Sequence, residues 1–185
     1  MAVRDDLAIG RQDKLVFVTV GTTQFDALVG ALVTPPLLAA LGRMGFHRLR
    51  IQHGRGMPPG DAPAGCGVRV EAYAFKLSLA ADMDEADLVI SHAGSGSILE
   101  ALGRRKPLLV VVNEALMDNH QAELADELHA RGHLVATRCD GLGRALDDWG
   151  SLGVLLPLPV AQPAPFCACV DALLGVSGTR EREIR

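Results

Sequence analysis

The sequence predicts an α/β fold built on a single parallel, doubly wound sheet, and two features favour this class. Short apolar runs recur along the chain, and segments with helical apolar spacing separate them. The first run, KLVFVTV, is rich in β-branched residues and ends at Gly21, as is typical of a strand buried on both faces. Strands that alternate with helices are joined by crossovers, which makes the sheet parallel.

The expected elements follow this alternation in order. Strands are predicted at residues 14–20, 48–53, 68–73, 87–92, 107–112 and 133–137. Helices are predicted at residues 25–33, from Pro35-Pro36 to residue 44, and at 77–86, 97–104, 120–131, 142–149 and 164–175. The loop at residues 53–67 is dense in glycine and proline, so we expect it to be mobile and to lack packing contacts.

Length and composition indicate one globular domain. Of 185 residues, 49% are apolar and 22% are charged, and the formal net charge is −4. We therefore expect a single domain at residues 14–175, with flexible polar segments at residues 1–13 and 176–185. A net negative charge and few aromatic residues argue against a nucleic-acid partner.

No membrane span or metal site is predicted. Residues 1–12 are polar and do not resemble a signal peptide. The apolar stretch at residues 153–176 contains four prolines, which a helix exposed to lipid tolerates poorly. The four cysteines form no CxxC pair and no zinc-ligand spacing, so we expect them to be free thiols in a reducing compartment.

The stretch SHAGSGSILEAL, at residues 91–102, joins the fourth predicted strand to a helix. Small residues let the backbone approach an anion closely, and the first N–H groups of a helix attract negative charge. A diphosphate would suit this turn, because doubly wound, Rossmann-like sheets bind ligands beyond the carboxyl ends of their strands. A dinucleotide such as NAD is disfavoured, since Leu99 occupies the third glycine position of that fingerprint.

The polar residues at these turns also have a purely structural interpretation. Ser97 with Glu100 and Asp118 with Gln121 have the spacing of capping boxes, and Thr23 could cap the first helix. All three helix starts nevertheless lie at the same edge of the predicted sheet. Their convergence is better explained by a ligand.

Taken in order, these motifs resemble a known family. HAGSGSILEAL, then Pro107, then NEALMDNHQAELADEL resemble the donor-binding C-terminal half of GT-B glycosyltransferases of family 28 that use UDP-GlcNAc. With VFVTVGTTQFDALV and YAFKLSLAADMDEADLVISHAGSGS, the chain is most similar to catalytic subunits of two-subunit dolichyl-diphosphate GlcNAc transferases. The resemblance covers residues 14–136.

The resemblance implies a role for each matching residue. The diphosphate of UDP would bind the backbone of the glycine turn, and Glu100 in the first helical turn would bind the ribose. The uracil would lie near the loop after the third strand. The acceptor and donor sugars would meet at the turn after the first strand, and the GlcNAc hydroxyls would contact the start of the fifth predicted helix. The residues are, in chain order, Gly21, Thr22, Thr23, Phe75, Lys76, His92, Gly94, Ser95, Gly96, Ser97, Glu100, Asn119, His120 and Gln121.

The implied reaction is direct displacement with inversion, which forms a β-1,4 link to GlcNAc-diphosphate-dolichol. No bound metal or other cofactor is expected, since helix dipoles and backbone donors would stabilise the departing UDP. The displacement needs a general base. His92 and His120 are candidates, and a base from a partner is equally compatible with the sequence.

The resemblance also implies a partner. A complete GT-B enzyme has two such domains, and this chain is long enough for one. We expect a membrane-anchored subunit to carry the acceptor half and to recruit this cytoplasmic chain to the cytosolic face of the endoplasmic reticulum. Residues 154–174 are the expected docking surface, although they could instead cover the sheet.

Two other functions remain open from the sequence. The chain could be the donor subunit of a bacterial two-subunit exopolysaccharide glycosyltransferase, or a nucleotide-sugar-binding subunit without catalysis.

Overall fold

The predicted α/β fold is confirmed in a computed structural model, which describes residues 13–114, 120–151 and 153–175. One sheet of six parallel strands has the order β3-β2-β1-β4-β5-β6. Its strands are β1 (Lys14–Thr19), β2 (Phe46–Gln52), β3 (Arg69–Tyr73), β4 (Leu88–His92), β5 (Leu108–Val112) and β6 (Val135–Arg138). The helices are α1 (Asp26–Leu32), α2 (Pro35–Arg43), α3 (Ala80–Glu85), α4 (Ser95–Gly103), α5 (His120–Ala130), α6 (Leu142–Asp147) and α7 (Pro163–Leu173).

The sheet lies between two helical layers because its central strands are apolar on both faces. Every residue of β4 and β5 is buried. On one face, Val16 and Val18 belong to a core cluster with α1, α2 and α6. On the other face, Phe17 and Val89 belong to a cluster with α3, α4 and α5.

The chain reverses its direction of winding between β1 and β4. From β1 it crosses to β2 on one side, and from β4 it crosses to β5 on the other. The parallel register from Val16↔Leu88 to Thr19↔Ser91 places the carboxyl ends of β1 and β4 side by side. This is the position at which open α/β sheets form a ligand crevice.

Two expectations about helix starts are wrong. Helix α4 begins at Ser95 with Gly94 as its N-cap and no side-chain cap, so Ser97 is no capping residue and Glu100 lies in the second turn. Phe25 is the N-cap of α1, and the Thr23 hydroxyl instead donates to the carbonyl oxygen of Val20 at 2.8 Å. The third expected cap, Asp118, lies outside the described residues.

The loop at residues 53–67 has defined contacts, so the expectation that it lacks them is wrong. The amide of Met57 donates to the Asp26 carboxylate at 2.8 Å, and the amide of Arg55 donates to the carbonyl of Thr23 at 3.0 Å. Gly54 is buried with φ +63°, and a Cβ atom there would lie 2.3 Å from the Thr23 carbonyl oxygen. Only glycine allows this close approach between the loop and the turn after β1.

Helix α7 does not cover the sheet. Its side chains are exposed apart from that of Val170, and Phe166 and Leu173 are 73% and 82% exposed. Cys167 and Cys169 lie on this helix, and all four cysteines are free. Within the described ranges, no single helix is long and apolar enough to cross a membrane; α1 and α2 together pass that test of length and composition, and they meet at 62°.

Candidate functional site

The turns after β1 and β4 form the centre of the candidate site. Gly21, at φ +62°, and Thr22 follow β1, while Ala93 and Gly94 follow β4. Both turns leave the same edge of the sheet at the point where its winding reverses. The sequence-based prediction that these two turns lie together is confirmed.

The first turn of α4 presents backbone N–H donors that have no acceptor within the helix. Its N-cap, Gly94, has no side chain, and no side chain caps the helix. The first intrahelical bond of the described chain there runs from Ile98 N to Gly94 O at 3.1 Å, which leaves the amides of Ser95, Gly96 and Ser97 without a helical acceptor. Ser95 and Gly96 are exposed, so these amides and the helix dipole are accessible to an anion.

The ring of His92 is wedged between the two glycine turns. A Cβ atom on Gly94 would lie 2.2 Å from His92 Nε2, and one on Gly21 would lie 2.8 Å from Cε1. The side chain is buried, and its Nδ1 lies 3.4 Å from the carbonyl oxygen of Thr19. Burial lowers the pKa of His92, and the contact with Thr19 only partly opposes this, so the ring is neutral at pH 7.

Gln52 joins two parts of the site and was missed by the sequence analysis. Its amide nitrogen donates to the carbonyl oxygens of Gly21 and Ala74, each at 2.7 Å. Its carbonyl oxygen accepts the Thr19 hydroxyl at 2.6 Å. A fully engaged, buried amide therefore links the turn after β1 to the loop after β3. A glutamine at the carboxyl end of a predicted strand was the available sequence signal.

The loop after β3 carries Phe75 and Lys76 at the same edge of the sheet, two strands away from β1. Phe75 is exposed, as a residue facing a planar base could be. The ammonium of Lys76 is held within the protein: it lies 2.8 Å from Asp82 Oδ2 and 4.2 Å from the ring centre of Tyr73. A ligand at this loop would therefore meet the backbone of Lys76 more readily than its charge.

Asp82 is the centre of a buried charge network behind this loop. It accepts hydrogen bonds from Lys76, from the Tyr73 hydroxyl at 2.6 Å and from Arg50 at 2.9 Å. Burial opposes ionisation of Asp82, but these hydrogen bonds and the positive charges outweigh it and hold its pKa below the usual range. Arg50 also binds Glu85 at 2.7 Å, so the network ties α3 to β2.

The remaining predicted residues lie on helices that start at this edge. Glu100 is 40% exposed, and its carboxylate lies 3.4 Å from Arg104. It is therefore accessible to a ligand, and binding would disrupt only this weak ion pair. Helix α5 begins at His120, and Gln121 in its first turn is half-buried. Asn119 lies outside the described residues. No metal-binding group of three or more His, Cys, Asp or Glu occurs in residues 13–114, 120–151 and 153–175.

The family model that matches this chain is the glycosyltransferase family 28 C-terminal domain, over residues 15–149. The chain is 48% identical over 126 residues to the human UDP-N-acetylglucosamine transferase subunit ALG13, a match that covers 68% of this chain and 11% of that protein. It is 39% identical to the subunit ALG13 of Eremothecium gossypii, covering 83% of this chain and 89% of the relative.

A solved structure of an ALG13 protein supports the same family assignment. An NMR solution structure of ALG13 superposes with a TM-score of 0.63 at 31% identity, covering 85% of this chain and 94% of the other. The matched region includes both glycine turns, the charge network behind β3 and the first turn of α4. The chain therefore belongs to the glycosyltransferase family 28 C-terminal domain family and, within it, to the group of ALG13 subunits.

Proposed function

We propose that this chain is the donor-binding, catalytic subunit of an inverting transferase that moves GlcNAc from UDP-GlcNAc to GlcNAc-diphosphate-dolichol. The product would carry a β-1,4 link and would be the second intermediate of lipid-linked oligosaccharide assembly. The observation that carries the proposal is the uncapped, accessible first turn of α4 at the winding reversal of the sheet. Membership of the ALG13 group supports UDP-GlcNAc as the donor.

In this proposal the diphosphate binds the amides of Ser95, Gly96 and Ser97, with Gly94 allowing close approach. Glu100 accepts hydrogen bonds from the ribose hydroxyls. The uracil lies against Phe75 and the backbone of Lys76. The ammonium of Lys76 stays paired with the Asp82 carboxylate. The sugar faces the turn at residues 21–23 and the start of α5, where Asn119, His120 and Gln121 are the proposed contacts.

The chemistry follows from this placement. Backbone donors and the α4 dipole would stabilise the negative charge that develops on the departing UDP, without a bound metal. The acceptor hydroxyl must lose a proton to a base as the new bond forms. His92 is neutral and so has one unprotonated ring nitrogen, but its buried ring packs against both glycine turns. We propose that it positions the two turns, which leaves His120 or a partner residue as the base.

The acceptor half is proposed to come from a membrane-anchored partner subunit at the cytosolic face of the endoplasmic reticulum. The curated relatives are named as transferase subunits, which supports an obligatory partner. The exposed apolar side chains of α7, such as Phe166 and Leu173, are the proposed docking surface. Aromatic and aliphatic side chains of this kind commonly anchor protein interfaces.

Replacement of Glu100 by alanine is expected to weaken UDP-GlcNAc binding by about 1–3 kcal/mol, because the ribose hydroxyls lose a charged acceptor. Titration calorimetry with UDP-GlcNAc measures the change. Glu127→Ala is a matched control, since Glu127 is an exposed helical glutamate paired with an arginine four residues away. Equal affinities for Glu100→Ala and the unchanged chain would remove Glu100 from the site.

The proposed reaction is tested by reconstitution. The purified chain should transfer little radiolabelled GlcNAc on its own and should become active when membranes carrying its partner are added. Dolichyl and polyprenyl diphosphate-GlcNAc acceptors, compared in parallel, separate the proposed reaction from a bacterial exopolysaccharide reaction. Full turnover by the chain alone would contradict the requirement for a partner, and binding of UDP-GlcNAc without transfer in any mixture would indicate a non-catalytic subunit.

A further inference from the structure

We propose that the chain has a second ligand site, at the amino ends of the strands and so opposite the glycine turns, which binds a small amphiphile with one anionic group and a medium-length alkyl chain. The site is a cavity of about 380 Å³. This volume lies within the range of about 300–1,000 Å³ that is typical of small-molecule sites. The inference does not depend on the proposed transferase reaction.

The cavity lies at the amino ends of β5 and β6. Pro107 immediately precedes β5, and His133 lies two residues before β6; both line the cavity. The glycine turns leave the carboxyl ends of the same parallel sheet, one strand length away, or about 16 Å for five residues. A ligand here would not occupy the candidate donor site.

The walls of the cavity are mostly apolar and are held in place. Residues 153–158, which form no helix or strand, line the cavity together with Leu102 and Trp149. The amide of Leu156 donates to Gly132 O at 2.9 Å, and its carbonyl oxygen lies 3.0 Å from His133 Nδ1. Leu155 and Leu158 pack against the two core clusters. The cavity therefore lies between residues 153–158, which hydrogen bonds and packing hold in place, and the rest of the domain.

Arg105 occupies a backbone position that normally selects glycine. Helix α4 ends in a Schellman motif: Arg105 N donates to Leu102 O at 2.9 Å, and Lys106 N donates to Ala101 O at 3.0 Å. Arg105 has φ +55°, which is the left-handed conformation, and among the described non-glycine residues it is alone in having a positive φ. Glycine would be less strained here, so the arginine carries a conformational cost at this position.

Arg105 also provides the unpaired charge at the cavity. The ammonium of Lys106 donates to the carbonyls of Asp84 and Ala86 at 2.7 and 2.9 Å, and the His133 ring contacts Leu156. Arg105 is exposed and makes no ion pair or side-chain hydrogen bond with the described residues. A guanidinium suits a carboxylate or a phosphate, and the apolar walls suit a hydrocarbon chain.

The test uses the intrinsic fluorescence of Trp149, because the chain has one tryptophan and it lines the cavity. Decanoate, decyl phosphate and decanol are titrated below their micellar concentrations. We expect a saturable fluorescence change with the two anions and at least tenfold weaker binding of decanol. Tighter binding of decyl phosphate would assign a phosphate head group and tighter binding of decanoate a carboxylate, and either result supports the site.

Arg105→Gly separates binding from folding. Its melting temperature should equal or exceed that of the unchanged chain, because glycine accepts the left-handed conformation, while anion affinity should fall at least tenfold. Arg69→Gln removes an exposed arginine on the edge strand β3, and it should change neither the melting temperature nor the anion affinity. Unchanged anion affinity in Arg105→Gly, equal affinity for decanol, or no saturable response to any probe would overturn the proposal. UDP-GlcNAc affinity, measured in parallel, should not respond to Arg105→Gly.

Discussion

Gly94→Ala is expected to reduce UDP-GlcNAc affinity on the order of 100-fold, or about 2.7 kcal/mol. The new Cβ atom would lie 2.2 Å from His92 Nε2. The His92 ring cannot simply swing away, because it is buried and also packs against Gly21, where a Cβ atom would lie 2.8 Å from the ring. The clash must therefore displace the first turn of α4 or the turn after β1, and both belong to the candidate site. Calorimetric titration with UDP-GlcNAc measures the loss.

Gly96→Ala is the matched control for the stability effect of this substitution; it is not a control for affinity, because the Gly96 amide belongs to the proposed diphosphate site. A Cβ atom on Gly96 would meet no atom within 4 Å, and the residue lies inside α4. Its fold should be unchanged or slightly more stable, since alanine is favoured over glycine in a helix by about 1 kcal/mol. Gly94→Ala should instead lose about 1–3 kcal/mol of unfolding free energy through overpacking. If Gly94→Ala keeps full stability and affinity, the wedged His92 ring does not position the two turns.

Asp82→Ala is expected to lower the free energy of unfolding by about 3–5 kcal/mol, the usual cost of breaking a buried ion pair. The substitution leaves Arg50 with fewer carboxylate partners and leaves the Tyr73 hydroxyl and the Lys76 ammonium without their acceptor. Because Lys76 is partly exposed, most of the cost should come from Arg50 and Tyr73. Chemical denaturation at pH 7 measures it.

The pH dependence of the Asp82 contribution has a defined sign. The folded-state pKa of Asp82 is below its usual value, so its stabilisation is fully present above the unfolded pKa of about 3.9 and is lost as the pH falls through the folded pKa. The stability difference between the unchanged chain and Asp82→Ala should therefore shrink on acidification below pH 4. Asp84→Ala, which removes an exposed carboxylate from the same helix, should cost at most about 1 kcal/mol at pH 7. Equal losses for the two variants would contradict the network.

The order and type of the elements could be predicted because apolar periodicity is a local property of the sequence. All six strands were found within one to two residues of their observed bounds, and their parallel direction follows from the alternation with helices. The start of α4 could not be found in this way. Its N-cap is a glycine, which leaves no side-chain signal, and Ser97 mimics a capping box inside the helix.

The polar contacts that hold the site together could not be predicted, because they join residues far apart in sequence. Gln52 bonds to Gly21 and Ala74, and Arg50 bonds to Asp82 and Glu85, over separations of 22 to 35 residues. The resemblance placed Lys76 at the uracil without revealing that Asp82 binds its ammonium. Such pairings depend on register and side-chain direction, which the pattern of apolar residues does not encode.

The central claim is that the first turn of α4 binds the diphosphate of the nucleotide sugar, and backbone amide NMR of the ¹⁵N-labelled chain tests it most directly. On saturation with UDP-GlcNAc, we expect large shifts of the Ser95, Gly96 and Ser97 amides, and nearly the same shifts with UDP. The chemical shift of the Arg105 amide, beyond the other end of α4, should not change. Saturable binding that leaves the Ser95, Gly96 and Ser97 amides unshifted would contradict the account.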